Sequence, residues 1–400
     1  MSTSAAFGRL STSLPSIRDA LADAGVDGWL LYDLHARNPI ANGLLGVGDL
    51  TRRYFVLLRA EGQPVVLMHG IEEAPWADWP WETRRYVGWR ELESRLRELL
   101  GGLRTVAMET IERDAVPAID FVPAGVVDLV RAAGVDVVAS GDLASRFYAR
   151  WSSAQLESHR RAAGVLADVA RDAFTHLADR VRTGETQTEG ELKAWVLRAL
   201  TDRGCGAGPD CIVANGVNAA SPHYDPGERG AAFRPGDIVL LDLWAKEADD
   251  LVYADQTWMA VLGPELPAGA RPVWEAIRDA RDAGVRFLQE RWGDGPIRGH
   301  EVDDVVRGVV EARGYGDAFI HRTGHSIDRD THGTGPNIDN LETHEVRALI
   351  DGVGFSIEPG IYLPGTLGMR TEINVHIGET GPEVTPREPQ REPFTLLERS

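Results

Sequence analysis

The sequence predicts two domains, an α/β domain over residues 1–150 and an α+β domain over residues 151–400. Three observations carry this. The chain has 400 residues, more than one compact core usually holds when about 150 residues per domain is the soft prior. Residues 1–150 alternate helix-like and strand-like segments, the pattern of an α/β layer. Beyond Ser152 two long helical patterns open, and from Ile212 onward strands dominate.

In the first half, Pro15–Ala24 reads as a short helix and Gly28–Tyr32 as a strand. Tyr54–Leu58 and Pro64–Met68 are apolar runs joined by Glu61-Gly62-Gln63, a hairpin signal. Thr105–Met108 and Val135–Ala139 read as strands, with an amphipathic helix at Ala124–Ala133 between them. In the second half, Ser152 with Gln155 forms a capping-box pattern. Leu166, Ala170, Ala173, Leu177 and Val181 continue it at helical spacing. Thr188 with Glu191 opens the next helix, and further helices fall at Pro272–Glu290 and Val302–Ala312. Pro382–Ser400 is charged and Pro-rich and reads as a loose tail apart from Phe394–Leu397.

Composition excludes several classes. With 43% apolar and 26% charged residues the chain is not disordered. A net charge of −19 disfavours nucleic acid and anionic membrane surfaces as partners. Cys205 and Cys211 are too few for a disulfide framework, so a reducing cytoplasm fits. The N-terminal segment lacks the basic head and apolar stretch of a signal peptide. Runs such as Ile238–Leu241 are far shorter than the ~18 residues of a membrane span.

Five segments place an ionisable residue where a core residue is expected. Asp242 ends the apolar run Ile238–Leu241, where a buried carboxylate is costly unless paired or metal-bound; a strand-end turn is the simpler alternative. Alternation puts Asp255 and Thr257 on one strand face. His321, His325 and His332 fall close together in loop and strand context. Glu358 precedes a strand-breaking Pro-Gly. In Arg370–Ile377, Arg370, Glu372, Asn374 and His376 share one face, which a half-exposed strand with a cross-strand ion pair would also explain. Four carboxylates and one imidazole together would repel strongly without cations. Two divalent ions offset the charge, the composition of a two-metal site.

The order Asp242, Asp255, His325, Glu358, Glu372 carries further marks. His321-x-x-x-His325 precedes His332, and Glu358-Pro-Gly-x-Tyr362 precedes Arg370-x-Glu372. The set resembles the pita-bread metallopeptidase family, which includes methionine aminopeptidase, prolidase, aminopeptidase P and creatinase. The likeness runs from about Ser152 to Ile377. The first half resembles the α/β N-terminal domain of the prolidase, aminopeptidase P and creatinase branch.

The resemblance implies a C-terminal pita-bread fold behind a creatinase-like domain, and a metallopeptidase of Xaa-Pro aminopeptidase or dipeptidase type. Asp242 would bind one metal, Asp255 and Glu372 would bridge both, and His325 and Glu358 would complete the second. Glu358 would take the proton of a water whose pKa falls from ~15.7 toward ~7. His332 would stabilise the oxyanion, His223 would stand near the leaving amine, and His321 would face the substrate. Arg370 and Thr257 would support the ligands from behind. Hard carboxylate oxygens favour Mn²⁺, with Co²⁺, Zn²⁺ and Fe²⁺ as alternatives. The implied partners are a short peptide or small amide and a second copy of the chain.

Some features depart from the family pattern. Asp242 and Asp255 are thirteen apart, two more than usual. Leu243-Trp244, Trp258 and the stretch Ser326-Ile327-Asp328 stand where the family has other residues. The environment of Trp244, Lys246 and Trp258 keeps a second function open, a creatinase-like hydrolase or lyase of a small non-peptide metabolite. A third alternative, a silent binding module, is disfavoured by five intact ligands. His300-Glu301 and His344-Glu345 begin like a zinc motif but lack the second His. Trp76, Trp79, Trp81 and Trp89 read first as packing and second as a dimer contact or lid.

Overall fold

The structure is a computed structural model, described over residues 3–111 and 115–397. The chain divides into two compact units, Met1–Ala149 and Arg150–Ser400. The first runs α1 (Thr3–Asp23), β1 (Gly28–Asp33), α2 (Pro39–Leu45), β2 (Tyr54–Arg59), β3 (Val65–His69), β4 (Glu82–Tyr86), α3 (Trp89–Leu100), β5 (Thr105–Met108), α4 (Ala124–Arg131), β6 (Asp136–Ala139) and α5 (Gly141–Ala144). Its six strands form one mixed sheet in the order β4-β3-β2-β1-β5-β6. Every residue of β1 is buried because both sheet faces are covered. Trp29 and Leu31 pack with Ile17, Leu21 and Ile40, while Leu30 and Tyr32 pack with Leu92, Leu96 and Val130.

Helix α1 corrects the expected Pro15–Ala24 helix. It starts at Thr3 and carries Pro15 inside it. An interior proline costs about 3 kcal/mol, but Phe7, Leu10, Leu14, Ile17 and Leu21 form a buried stripe through it. The expected hairpin is present as antiparallel β2 and β3. Trp76 and Trp79 are core residues: Trp79 meets Phe7 edge-on at 5.2 Å and Trp81 at 4.8 Å. Their burial favours the packing reading for them, while Trp81 is half-buried and Trp89, 55% exposed, faces solvent.

The second unit runs α6 (Ser153–Arg182), α7 (Glu189–Asp202), β7 (Ala207–Asn215), β8 (Ile238–Lys246), β9 (Ala254–Val261), α8 (Arg271–Arg291), α9 (Gly299–Ala312), β10 (Ser326–Ile327), β11 (Gly354–Ile357), β12 (Gly360–Leu363), β13 (Leu367–Arg370), β14 (Ile373–Gly378), β15 (Gly381–Thr385) and β16 (Phe394–Thr395). Both capping boxes, Ser152/Gln155 and Thr188/Glu191, close with side chain and backbone reciprocally bonded. One sheet is ordered β16-β9-β8-β7 and another β10-β11-β14-β15, with β12-β13 as a separate pair. Val239, Leu241 and Leu243 of β8 pack under α6 and α7, whereas Leu240 joins the core beneath α8 and α9. Strand alternation therefore turns Asp242 and Trp244 away from α6 and α7.

Two expectations change here. Arg370–Ile377 is not one half-exposed strand: it breaks at Thr371-Glu372 between β13 and β14, and all eight residues are buried. The segment after Pro382 is not loose. β15 pairs with β14, and Gln390 binds both backbone groups of Met259, at 2.9 and 2.7 Å, as a strand neighbour would. Residues 398–400 of that stretch, and Met1 and Ser2 of the N-terminal segment, lie outside the described residues. Among the described residues no helix is long and apolar enough to cross a membrane.

Candidate metal centre

Asp242 lies in mid-strand rather than in a turn, since β8 continues to Lys246. In the antiparallel ladder Asp242 stands opposite Thr257, and Trp244 opposite Asp255. The two acids are thus diagonal neighbours on one sheet face. β14 reaches this face through Asn374, whose Oδ1 accepts from the Asp255 N–H at 2.9 Å and whose Nδ2 donates to the Asp255 carbonyl at 2.7 Å. That clip brings Glu372 onto β9, where Thr257 Oγ1 donates to Glu372 Oε2 at 2.9 Å.

His325 enters from the loop before β10. Its N–H donates to Ser356 Oγ at 2.9 Å, and Ser356 Oγ donates to Glu358 Oε1 at 3.0 Å. Gly324 makes this approach feasible, because a Cβ there would lie 2.0 Å from the Ser356 carbonyl oxygen. The ring places Nδ1 3.1 Å from the Ser326 carbonyl, which assigns the proton to Nδ1. Nε2 is left as a lone-pair donor, 3.3 Å from Glu358 Oε1 and 3.7 Å from Asp255 Oδ2.

Arg370, at the end of β13, holds the assembly from behind. Its Nη2 binds Asp242 Oδ2, its Nε donates to Thr257 Oγ1 at 3.1 Å, and its Nη1 donates to Tyr362 Oη at 3.0 Å. Burial pushes the carboxyls of Asp255 and Glu372 well above the usual range, and neighbouring carboxylates push them further. Burial also raises Asp242, against the opposing pull of Arg370. Three oxygens, Asp242 Oδ1, Asp255 Oδ1 and Glu372 Oε1, are buried and meet no hydrogen-bond partner among the described residues. Such orphaned acceptors are costly unless something positive meets them. Ligand atoms of Asp255, His325 and Glu372 lie within 4.8 Å of one another. Four carboxylates and one unprotonated imidazole nitrogen suit divalent cations, and the residues fit that cofactor. Burial, then the Arg322 charge, pushes His325 down to about 3, keeping the imidazole neutral as a ligand must be.

A cavity of about 760 Å³ opens over these residues. Its lining brings together Asp242, Asp255, Glu358, Glu372, Arg370, His223, His321, His325 and His332. Thr257 lies behind Glu372 rather than on the surface. The His332 ring sits 4.4 Å from that of His325, and burial lowers its pKa to about 4. His223 is exposed at the rim. His321 has both nitrogens engaged, Nδ1 with the Arg322 carbonyl at 2.7 Å and Nε2 with Tyr362 Oη at 2.8 Å. A hollow of about 820 Å³ along β4 and α3 is lined by exposed charges that partly pair with one another.

Sequence reasoning missed Tyr362 and Asn374 as supports. Tyr362 stood inside the quoted Glu358-to-Tyr362 motif, so a signal existed; Asn374 looked like an outward polar residue. Of the unusual neighbours, only Trp244 lines the cavity. Trp258 packs on the α6 side, and Lys246 donates to the carbonyls of Asp249 and Arg329 at 3.0 and 2.6 Å. Asp328 closes a local turn by accepting from the N–H groups of Asp330 and Thr334.

Residues 157–379 match metallopeptidase family M24. An Xaa-Pro dipeptidase of Lactobacillus delbrueckii subsp. lactis is 36% identical over 163 residues, 41% of this chain and 40% of that protein. The chain thus spans about two fifths of that relative's length. A Mycobacterium tuberculosis protein named "Probable dipeptidase PepE" is 26% identical over 90% of both chains. Among solved structures, dipeptidase PepE from Mycobacterium ulcerans superimposes over 99% of both chains with a TM-score of 0.74 and 23% identity. A prolidase from Thermococcus sibiricus does so over 96% of this chain and 98% of that one, with a TM-score of 0.65 and 23% identity. These structures share the pita-bread fold with this chain.

Proposed function

The chain belongs to metallopeptidase family M24, and from that premise we propose a dinuclear-metal-dependent peptidase that cleaves the peptide bond of Xaa-Pro substrates. The observation that carries this reading is that ligand atoms of Asp255, Glu372 and His325 lie within 4.8 Å of one another, while Asp242, Asp255 and Glu372 each bury a carboxylate oxygen that meets no hydrogen-bond partner among the described residues. Asp242 would hold one ion, Asp255 and Glu372 would face both, and His325 with Glu358 would hold the other. When bound, the cations supply an acidified water and a polarised carbonyl.

The remaining work belongs to side chains. Glu358, oriented by Ser356 and 4.0 Å from Arg370 Nε, takes the proton of the attacking water and returns it toward the leaving nitrogen. His332 donates to the developing oxyanion, a contact whose loss costs about 3–4 kcal/mol at comparable sites. His223, at the rim, assists the departing amine. His321 acts through Tyr362, keeping that hydroxyl against Arg370. Mn²⁺ is the proposed ion because oxygen donors dominate. Proline at the second position rests on the names of the Lactobacillus and Thermococcus relatives. A homodimer and a cytoplasmic location complete the proposal, the latter supported by two free, buried cysteines.

The test is a panel of Xaa-Pro dipeptides and tripeptides, with metal content measured on the same protein. Hydrolysis that follows two bound ions per chain is the expected result. A protein loaded with two ions that cleaves no member of the panel overturns the reading.

A further inference from the structure

Two sequence fragments that the metal centre leaves unused meet in the fold. His300-Glu301 and His344-Glu345 each begin like a zinc motif and lack its second histidine. The fold supplies one, because the two imidazoles lie against each other with ring centroids 4.6 Å apart. His300 stands in the first turn of α9, and His344 on the segment between β10 and β11. Each ring is held by one nitrogen. His300 Nδ1 lies 3.0 Å from the Glu345 carbonyl, which can only accept, so that nitrogen carries the proton. His344 Nδ1 lies 2.8 Å from Asn340 Oδ1. The Asn340 amide is oriented from its other end, where Nδ2 donates to Asp304 Oδ1 at 2.7 Å, so its oxygen faces the ring and accepts. Both Nε2 atoms are therefore lone-pair donors in the neutral rings, and neither meets a hydrogen-bond partner among the described residues.

The backbone under both rings is fixed. The His300 N–H donates to the Glu345 carbonyl at 3.1 Å. The buried Asp339 carboxylate accepts from the N–H groups of Leu341, Glu342 and Thr343, at 2.9, 2.9 and 3.0 Å. Asp304 and Glu301 on α9 and Glu342 are negative, Arg298 and Arg322 are positive, and Arg347 pairs with Glu345 at 2.6 Å. The Arg298 guanidinium is committed to the Val346 carbonyl. Nothing in this balance opposes a dication. We propose that His300 and His344 bind one borderline divalent cation such as Zn²⁺ through their Nε2 atoms, at a site separate from the catalytic centre. Neither residue lines the cavity over that centre. The donors tell the two sites apart. Carboxylate oxygens with one imidazole suit Mn²⁺, whereas a pair of imidazoles suits Zn²⁺, Ni²⁺ or Cu²⁺. Bonds of about 2.0–2.1 Å to each nitrogen would seat one Zn²⁺ between the rings. Among the described residues no third His, Cys or carboxylate atom forms a tight cluster with them, so water would fill the remaining positions. His344 is exposed, which lets an ion enter from solvent. The ion would tie α9 to the segment that carries Glu342 to the cavity wall.

The proposal does not depend on the peptidase reading, and its test needs no turnover. Wild type, His344→Asn and His300→Gln are saturated with Mn²⁺ and then dialysed to equilibrium against Zn²⁺. Total bound metal per chain is counted by elemental analysis. Wild type should hold one ion more than either variant. That difference stands whatever mixture of ions the catalytic centre retains, because neither histidine belongs to it. With Mn²⁺ alone the three proteins should hold the same number. Unfolding midpoints without added Zn²⁺ check that the variants are folded. His344 is exposed, so His344→Asn decides the matter by itself if His300→Gln does not fold. Equal counts in wild type and His344→Asn at saturating Zn²⁺ overturn the site. An extra wild-type ion that appears equally with Mn²⁺ alone overturns its assignment to a borderline cation.

Discussion

Replacing Asn374 by Ala should damage both stability and metal binding, and the size follows from its two bonds. Asn374 is fully buried, and its amide satisfies the N–H and the carbonyl of Asp255 at 2.9 and 2.7 Å. Alanine would leave both groups buried without partners. A buried donor or acceptor left unmade costs about 1–3 kcal/mol. Water entering the vacated space would recover part of this, so a loss of about 2–4 kcal/mol is expected in the second unit. The same bonds hold β14 against β9, and with it Glu372 against Thr257. Loss of such a support typically weakens metal binding about 10- to 100-fold. Urea unfolding of the metal-free protein, followed by a probe of the second unit, reads the first quantity. Titration with Mn²⁺ reads the second. A loss below about 0.5 kcal/mol with unchanged metal affinity would refute the claim that Asn374 joins the two sheets at the site.

Three further outcomes are expected. Burial pushes His159 down to about 4 from 6.5 in the folded protein. The unfolded chain therefore takes up the proton first as pH falls, and stability present above pH 6.5 is lost toward pH 4, by about 3 kcal/mol; His159→Gln should flatten that slope in urea midpoints, and an unchanged slope counts against it. Glu358→Gln, assayed at metal concentrations that refill both positions, should lower kcat about 100- to 10,000-fold, and full turnover would end the proton-transfer role. Trp79→Ala should cost the first unit about 3–5 kcal/mol by cavity formation while leaving metal content unchanged; a lost metal ion with an intact melting transition would contradict its place in that core.

Some of this was visible in the chain and some was not, for physical reasons. Asp242 and Asp255 were legible because a charge inside an apolar strand violates burial rules. The helices opened by Ser152 and Thr188 were legible because capping boxes are local. Asn374 and Gln390 were not, because each uses a polar side chain to replace a backbone hydrogen-bond partner from a distant strand. Nothing local distinguishes such an amide from a solvated one. Pro15 misled because a local helix breaker was outweighed by burial of Phe7, Leu10 and Leu14 in tertiary structure. The break at Thr371-Glu372 was hidden because alternation continues through it, although β13 and β14 belong to different sheets.

Trp244 stands across the ladder from Asp255 and forms part of the cavity wall. In optical terms, the molecule carries its own reporter of occupancy. Indole emission depends on local polarity and on nearby charge, and both change at this wall when ions or peptide enter. The difference spectrum between wild type and Trp244→Phe isolates that one indole from the other ten. Loading of the centre and filling of the cavity can then be followed in time on the unlabelled protein, before any bond is cut.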